Sequence, residues 1–225
     1  MATLFSCFCM LYLIVGFKIM EKGNMSLYTL FLMAGGMVVP YIWGVLFLDE
    51  EFTLLRTLGL IVITLSLVIS NSGEKKPDKK QILLCIIVFL LNGLTSVSSK
   101  IHQINPVSLT VTSTYFTFIV MSVRAIISSI ALLFVRKKDS KVQEAKTSLK
   151  SIFLIMLLAS LVNGFSSLLV FVGAVDLPAT VLYPLITGGS VILSAFAGII
   201  AFKEKLSARD FIGIAVCFFG TLLFL

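Results

Sequence analysis

Three charged side chains could do chemistry within or at the ends of the apolar segments of this sequence: Glu50, Arg124 and Glu204. Carboxylates at membrane depth can carry coupling protons, and an arginine can bind an anionic group. Arg124 lies near the middle of a long apolar segment, where its charge is costly unless water, backbone carbonyls or an anion surrounds it. We therefore predict that Arg124 faces a cavity and binds substrate. An arginine held by backbone carbonyls for structural reasons is the alternative.

The two glutamates are predicted to be structural. Each ends an apolar segment, and a hydroxyl residue, Thr53 or Ser207, follows three positions later. Ser207 and Asp210 have the spacing of a capping box, in which the hydroxyl accepts a hydrogen bond from a free helix amide. Glu50 and Glu204 should therefore anchor tight turns at the membrane interface. We expect these turns on opposite faces, so the two glutamates cannot form one site.

The composition indicates that these residues belong to membrane-spanning helices. The sequence is 58% hydrophobic and 13% charged, with a mean hydropathy of +1.08. A soluble domain of 225 residues cannot bury so much apolar surface. Each apolar block is long enough to cross a hydrocarbon core about 30 Å thick. The pattern predicts an all-α polytopic membrane protein with eight transmembrane helices, at residues 4–20, 26–48, 54–70, 81–99, 108–135, 151–173, 178–202 and 209–225.

The basic residues are distributed unevenly between the two membrane faces. If successive loops alternate, 15 of the 18 lysines and arginines lie on one face, which we call the basic face. The other face, which we call the Glu50 face, has Arg56 and Lys100, and we expect Lys100 and His102 to lie there in a short loop. This asymmetry is typical of the positive-inside rule. The net charge of +7 therefore does not indicate a nucleic-acid partner.

An internal repeat divides the chain into two related halves. Residues 26–66 align without a gap with residues 180–220, and five of the 41 positions are identical. Because the repeat step is five spans, an odd number, the two copies should cross the membrane in opposite directions, as in transporters with inverted-topology repeats. The identical positions include Gly35 with Gly189, Gly44 with Gly198, Glu50 with Glu204, and Gly59 with Gly213.

The repeat predicts a five-plus-five helix architecture whose first half is incomplete. The first half, 1–72, has three spans and the second half, 73–225, has five. The two spans that the first half lacks would precede Met1. We therefore expect an N-terminally truncated form of a ten-span protein, and a natural eight-span variant is the alternative.

Other polar residues suggest where a cavity lies between the halves. Asn92 and Asn163 each precede a glycine within an apolar segment, and an amide in lipid needs partners on other helices. We predict a cavity lined by Arg124, Asn92, Asn163, Tyr115 and Tyr183. Two rows of small residues predict close helix packing, within the bundle or in a homodimer. These rows are Gly36, Pro40, Gly44 and Ser190, Ser194, Gly198.

The repeated motif resembles that of a known transporter family. Residues 44–53 (Gly-Val-Leu-Phe-Leu-Asp-Glu-Glu-Phe-Thr) with Gly59, and residues 198–207 (Gly-Ile-Ile-Ala-Phe-Lys-Glu-Lys-Leu-Ser) with Gly213, are similar to the motif closing each half in the EamA-like branch of the drug/metabolite transporter superfamily. The resemblance implies that a glutamate ends the fourth span of each half. It also implies that ten-span members keep both termini in the cytoplasm, which would place loops 71–80 and 136–150 outside. The charge distribution indicates the reverse.

These observations predict a secondary transporter in the cell membrane. It would move a small metabolite or drug, with amino acids and organic anions among the candidates, by alternating access within the lipid bilayer. A non-transporting membrane scaffold or receptor-like subunit is the alternative. The sequence has no catalytic constellation, metal cluster or phosphate-binding glycine loop, so we expect no enzyme activity, metal or cofactor.

Overall fold

A computed structural model describes residues 1–21, 25–70, 78–105, 112–136, 149–202 and 208–224. In these ranges the regular secondary structure consists of eight α-helices. The helices are α1 (Ala2–Met20), α2 (Met25–Phe47), α3 (Leu54–Ser70), α4 (Lys79–Ile104), α5 (Ser113–Arg136), α6 (Leu149–Asp176), α7 (Ala179–Phe202) and α8 (Ala208–Leu222).

The helices confirm the predicted all-α polytopic membrane fold. Six of them, α1, α2, α4, α5, α6 and α7, are long and apolar enough to cross a membrane. The other two are shorter, with 17 residues in α3 and 15 in α8. Most predicted boundaries agree with the observed ones within a few residues, because long apolar segments can satisfy their backbone in lipid only as helices. The start of α5 differs more, because this helix begins at Ser113 and was predicted to begin at 108.

The repeated helices pack against each other as antiparallel pairs. Helix α2 contacts α7, and α3 contacts α8. The start of α3 meets the end of α8 closely: a Cβ atom at Gly59 would lie 2.9 Å from the carbonyl oxygen of Gly220. Small residues at these positions let two helix backbones approach in a membrane, where dispersion contacts replace the hydrophobic drive for association.

Helix α4 lies at the centre of the bundle and contacts α1, α2 and α6. It begins with a capping box in which the Asp78 N–H donates to the Gln81 side chain at 3.0 Å. The helix continues to Ile104, so the prediction that Lys100 and His102 lie in a short loop is wrong. Both are buried within the helix, because side chains on neighbouring helices and free backbone carbonyls surround them.

The two ends of α6 have different surroundings. Every residue from Phe153 to Asn163, in the half near the basic face, is exposed. Near the Glu50 face the same helix packs through Phe171, which contacts Phe5 and Phe116 edge-to-face at centroid distances of 5.5 and 5.0 Å. Helix α6 is therefore held to the bundle mainly at its Glu50-face end.

The two small-residue rows have different surroundings. In the first row, a Cβ atom at Gly36 would lie 2.7 Å from the Asn92 amide nitrogen, so this row packs within the bundle. In the second row, Ser190 and Ser194 are exposed. The homodimer stays a prediction, and only the second row has a surface free to form it.

Candidate functional site

A polar cavity of about 270 Å³ lies in the middle of the bundle. Five helices, α1, α4, α5, α6 and α7, contribute to its walls. Hydroxyl groups, one amide and one guanidinium group are interleaved with aromatic and aliphatic side chains. The lining residues are Phe5, Tyr12, Asn92, Thr95, Ser96, Ser99, Arg124, Ser166, Ser167, Val170, Phe171 and Tyr183.

Arg124 projects into this cavity from the middle of α5. Its guanidinium carbon lies 5.1 Å from the centroid of the Phe5 ring, at cation–π distance. The buried Nε atom has no hydrogen-bond partner among the described residues. A buried guanidinium N–H without a partner is costly, so the site is complementary to an anionic group or to ordered water.

Asn92 lies at the cavity wall and also holds two helices together. Its side-chain Nδ2 donates to the carbonyl oxygen of Leu32 on α2 at 2.7 Å. The approach is possible because Gly36 has no side chain at the contact. The prediction that an asparagine in lipid finds a partner on another helix is confirmed for Asn92.

Tyr183 joins the wall from the first turns of α7. Its hydroxyl donates to the backbone carbonyl of Ser96 on α4 at 2.6 Å. Thr95 and Ser96 donate their hydroxyl protons to carbonyls one turn back on α4. Such back-bonding leaves their hydroxyl oxygens as acceptors facing the cavity.

The other two predicted cavity residues lie elsewhere. Tyr115 is 65% exposed near the start of α5 and does not line the cavity. Asn163 is exposed and lines a shallow groove on α6. This groove includes Ser166, which also lines the cavity, so Asn163 lies one helical turn beyond the wall. The structure therefore brings together Arg124, Asn92 and Tyr183 only.

Glu50, which was predicted to anchor a turn, binds the start of α7. Its Oε1 accepts from the Ala179 N–H at 2.6 Å, and its Oε2 accepts from the Thr180 N–H at 2.8 Å. Asp49 has a positive φ of 51°, which turns the chain back after α2 so that Glu50 points at α7. A Cβ atom at Gly44 would lie 2.6 Å from Oε2, so the repeated glycine makes room for the carboxylate.

The other motif positions are only partly described. Gly59 lies at the α3–α8 contact, and Gly213 is buried in α8. Glu204 and Ser207 lie outside the described residues. Their predicted roles as turn anchors on the basic face stay predictions.

Sequence reasoning missed Lys100 as a residue of this region. Its Nζ donates to the carbonyl oxygens of Ala174 at 2.9 Å and of Leu177 at 2.5 Å, at the end of α6. The spacing contained the signal, because Asn92, Ser96 and Lys100 recur every four residues and therefore share one face of α4. Glu50 and Lys100 both bind the turn between α6 and α7. Helices α2, α4 and α6 therefore all end at the Glu50 face.

Comparison with curated proteins finds no match to this chain. The model of the EamA-like transporter family matches residues 79–225, which begin with α4 and include all five helices from α4 to α8. The match covers well over half of the chain, and it agrees with the resemblance of the glycine–glutamate motif. The chain belongs to the EamA-like transporter family, whose members are membrane transporters of small molecules.

Proposed function

We propose that this protein is a secondary transporter that moves a small anionic metabolite across the cell membrane by alternating access. The observation that carries the proposal is Arg124, a half-buried cation whose buried Nε atom has no described partner, at a polar cavity in the middle of the bundle. A carboxylate or phosphate bound there would satisfy the guanidinium group.

The shape and chemistry of the cavity support a metabolite rather than a large drug. Its volume of about 270 Å³ is close to the lower limit of cavities that hold drug-sized ligands. Seven hydroxyl-bearing residues and Asn92 provide hydrogen-bond donors and acceptors for a polar molecule. Phe5 and Phe171 offer an apolar wall on the Glu50-face side, where a short carbon skeleton could pack.

The cavity is more suited to an organic acid than to an amino acid. Among the described lining residues Arg124 is the charged one, and it is a cation. An amino acid would bring its ammonium group into the same small space, where only neutral oxygens could accept its hydrogen bonds. Because the sequence lacks a phosphate-binding glycine loop, the energy for transport should come from an ion or substrate gradient.

A transport assay on Arg124 variants tests the proposal. The full chain in proteoliposomes would be offered labelled lactate, malate, phosphate and glutamate. For any substrate that the wild type accumulates, we expect Arg124→Met to weaken binding roughly tenfold to 150-fold, equivalent to about 1.5–3 kcal/mol for a charged hydrogen bond. Arg124→Lys should retain part of the activity, because it keeps the charge but loses the planar guanidinium geometry.

Arg56→Met is the matched control, because Arg56 lies on α3 and does not line the cavity. Uptake should be unchanged in this variant. Unaltered uptake in Arg124→Met would refute a role of Arg124 in substrate binding. Preferential uptake of glutamate would favour the amino-acid alternative.

A scaffold or receptor-like subunit is the second candidate function. The exposed half of α6, from Phe153 to Asn163, is the observation that favours it, because a helix surface of this kind could pack against a partner in the bilayer. No uptake of any offered compound, together with co-purification of a stable membrane partner, would favour this function.

A further inference from the structure

One proline, Pro178, removes a backbone N–H donor from the turn between α6 and α7. In a helix that continued through this turn, the Ala174 carbonyl would accept the N–H of residue 178, but Pro178 has none. The Lys100 ammonium group takes the place of that missing donor. It also donates to the Leu177 carbonyl, so one side chain from α4 satisfies both carbonyls at the end of α6.

Pro178 also leaves the start of α7 without a cap. It occupies the position immediately before the helix and has no side-chain acceptor for the first free N–H groups. Its own carbonyl accepts from Val181 and Leu182 at 3.1 and 2.9 Å. The N–H groups of Ala179 and Thr180 are satisfied by Glu50, which follows α2.

Glu50 and Lys100 therefore hold the same turn from two different helices. A carboxylate binds the positive end of the α7 dipole, and an ammonium group binds the negative end of the α6 dipole, which is the favourable arrangement at both helix ends. The Glu50 and Asp176 carboxylates both attract the Lys100 ammonium group. The turn is thus attached to α2 and α4 by four charge-assisted hydrogen bonds.

The attached turn lies at the Glu50-face end of the cavity. Phe171 on α6 and Tyr183 on α7 flank the turn, and both line the cavity. Phe5, Phe116 and Phe171 pack together on the same side, and His102 stacks on Phe116 at 4.0 Å. Among the described residues, α6 is packed at this end and exposed from Phe153 to Asn163, toward the basic face.

We propose that Glu50 and Lys100 form a gate that closes the cavity to the Glu50 face by fixing the α6–α7 turn against α2 and α4. The gate rests on the proposed transport function, because alternating access requires the hydrogen bonds of Glu50 and Lys100 to break whenever the cavity opens to the Glu50 face. Release is feasible because the turn lies at the membrane edge, where Leu177 is 41% exposed and the neighbouring Asp176 is also exposed. Water there can replace the broken hydrogen bonds.

Cysteine accessibility tests the gate without any transported substrate. A reporter cysteine at Ser99, which lines the cavity, would be reacted with a membrane-impermeant thiosulfonate applied from one face of sealed vesicles. The reaction of the chain without the reporter would be subtracted, and a cysteine at exposed Phe52 would identify the Glu50 face. We expect Glu50→Gln and Lys100→Met each to speed modification from the Glu50 face by at least about tenfold.

Glu51→Gln is the matched control, because it makes the same chemical change at the next residue, whose side chain is exposed. It should leave the modification rate unchanged. An unchanged rate in both Glu50→Gln and Lys100→Met would overturn the gate, even if both variants were less heat-stable, since a purely structural clamp lowers stability without opening the cavity.

Two further measurements distinguish the effect of each substitution on the gate from its effects on folding and on transport. Each variant would first be compared with the wild type by size-exclusion chromatography and thermal unfolding, and Glu50→Gln is the milder change because its amide oxygen can still accept one hydrogen bond. The proposed function fails on the uptake of Arg124 variants, whereas the gate fails on the accessibility of the reporter. Faster modification from the Glu50 face in a chain that transports nothing would support the gate and contradict the transport proposal.

Discussion

Asn92 is shared between the fold and the site. Its amide nitrogen donates one hydrogen bond to Leu32 on α2, and the rest of the amide remains at the cavity wall. Arg124 differs, because its Nε has no described partner and its charge is available to a bound anion. Of the predicted cavity residues, Asn92 and Tyr183 therefore also join helices, whereas the Arg124 Nε has no described partner.

Replacing Asn92 should lower stability modestly. Asn92→Leu removes the α2–α4 hydrogen bond, and interhelical bonds of this kind in membranes contribute about 0.6 kcal/mol, with a maximum of about 1.7. We expect a loss of that size in the free energy of unfolding in detergent micelles. Asn163→Leu is the control, because Asn163 is exposed on α6. A loss in this variant as large as in Asn92→Leu would contradict the assignment.

At the scale of helices, the two copies of the repeat differ in what covers them. A Cβ atom at Gly35 would overlap the Phe89 carbonyl on α4, whereas one at its repeat partner Gly189 meets no described atom within 4 Å. The same glycine therefore makes a close helix contact in the first copy and lies open in the second. Helix α4 fills the groove beside α2, and no described helix fills the equivalent position beside α7.

This difference predicts opposite outcomes for one substitution at matched positions. Gly35→Ala should destabilise the protein by about 1–3 kcal/mol, because the backbone of α4 must move to admit the methyl group. Gly189→Ala should be neutral, or slightly stabilising through the higher helix propensity of alanine. Thermal unfolding of the two purified variants measures the difference. Equal destabilisation would show that the second copy is packed as tightly as the first.

The helices could be predicted well from the sequence, apart mainly from the start of α5 and the end of α4. Hydropathy locates α1, α2, α3 and α7 to within two residues, because each apolar segment must satisfy its own backbone in lipid. The prediction ended α4 at residue 99, since Lys100 and His102 look like loop residues. The Lys100 ammonium group binds carbonyls at the end of α6, and the His102 ring stacks on Phe116, and only the tertiary packing provides these contacts.

The candidate site could be predicted only in part, because sequence periodicity does not fix how a helix is rotated in a bundle. Arg124 and Asn92 were identifiable because a charge or an amide in lipid requires partners. Tyr115 was equally polar, but its helix face points away from the cavity. Asn163 shares a helix face with Ser166 but lies one turn beyond the cavity wall. Tyr12 and Ser166 gave no signal in the sequence, since single hydroxyl groups are common in transmembrane helices.

For the whole molecule, the position of Lys100 within α4 bears on how the protein is oriented in the membrane. The positive-inside rule counts charges in loops, and Lys100 is instead buried within α4 and bound to the α6–α7 turn. Arg56 is then the only lysine or arginine that the Glu50 face presents, against 15 on the basic face. The structure thus increases the asymmetry, and we expect the Glu50 face to lie outside the cell, with the gate as an outer gate.

Labelling of intact cells decides this orientation. An impermeant maleimide should label a cysteine placed at exposed Phe52, on the Glu50 face, and should label one placed at Gln143 only after permeabilisation. The reverse pattern would agree with the topology that the family resemblance implies, with loops 71–80 and 136–150 outside. If the expected pattern is found, the proposed gate of Glu50 and Lys100 faces outward, and the exposed half of α6 lies toward the cytoplasm. Glu50→Gln should then increase access to the cavity from outside.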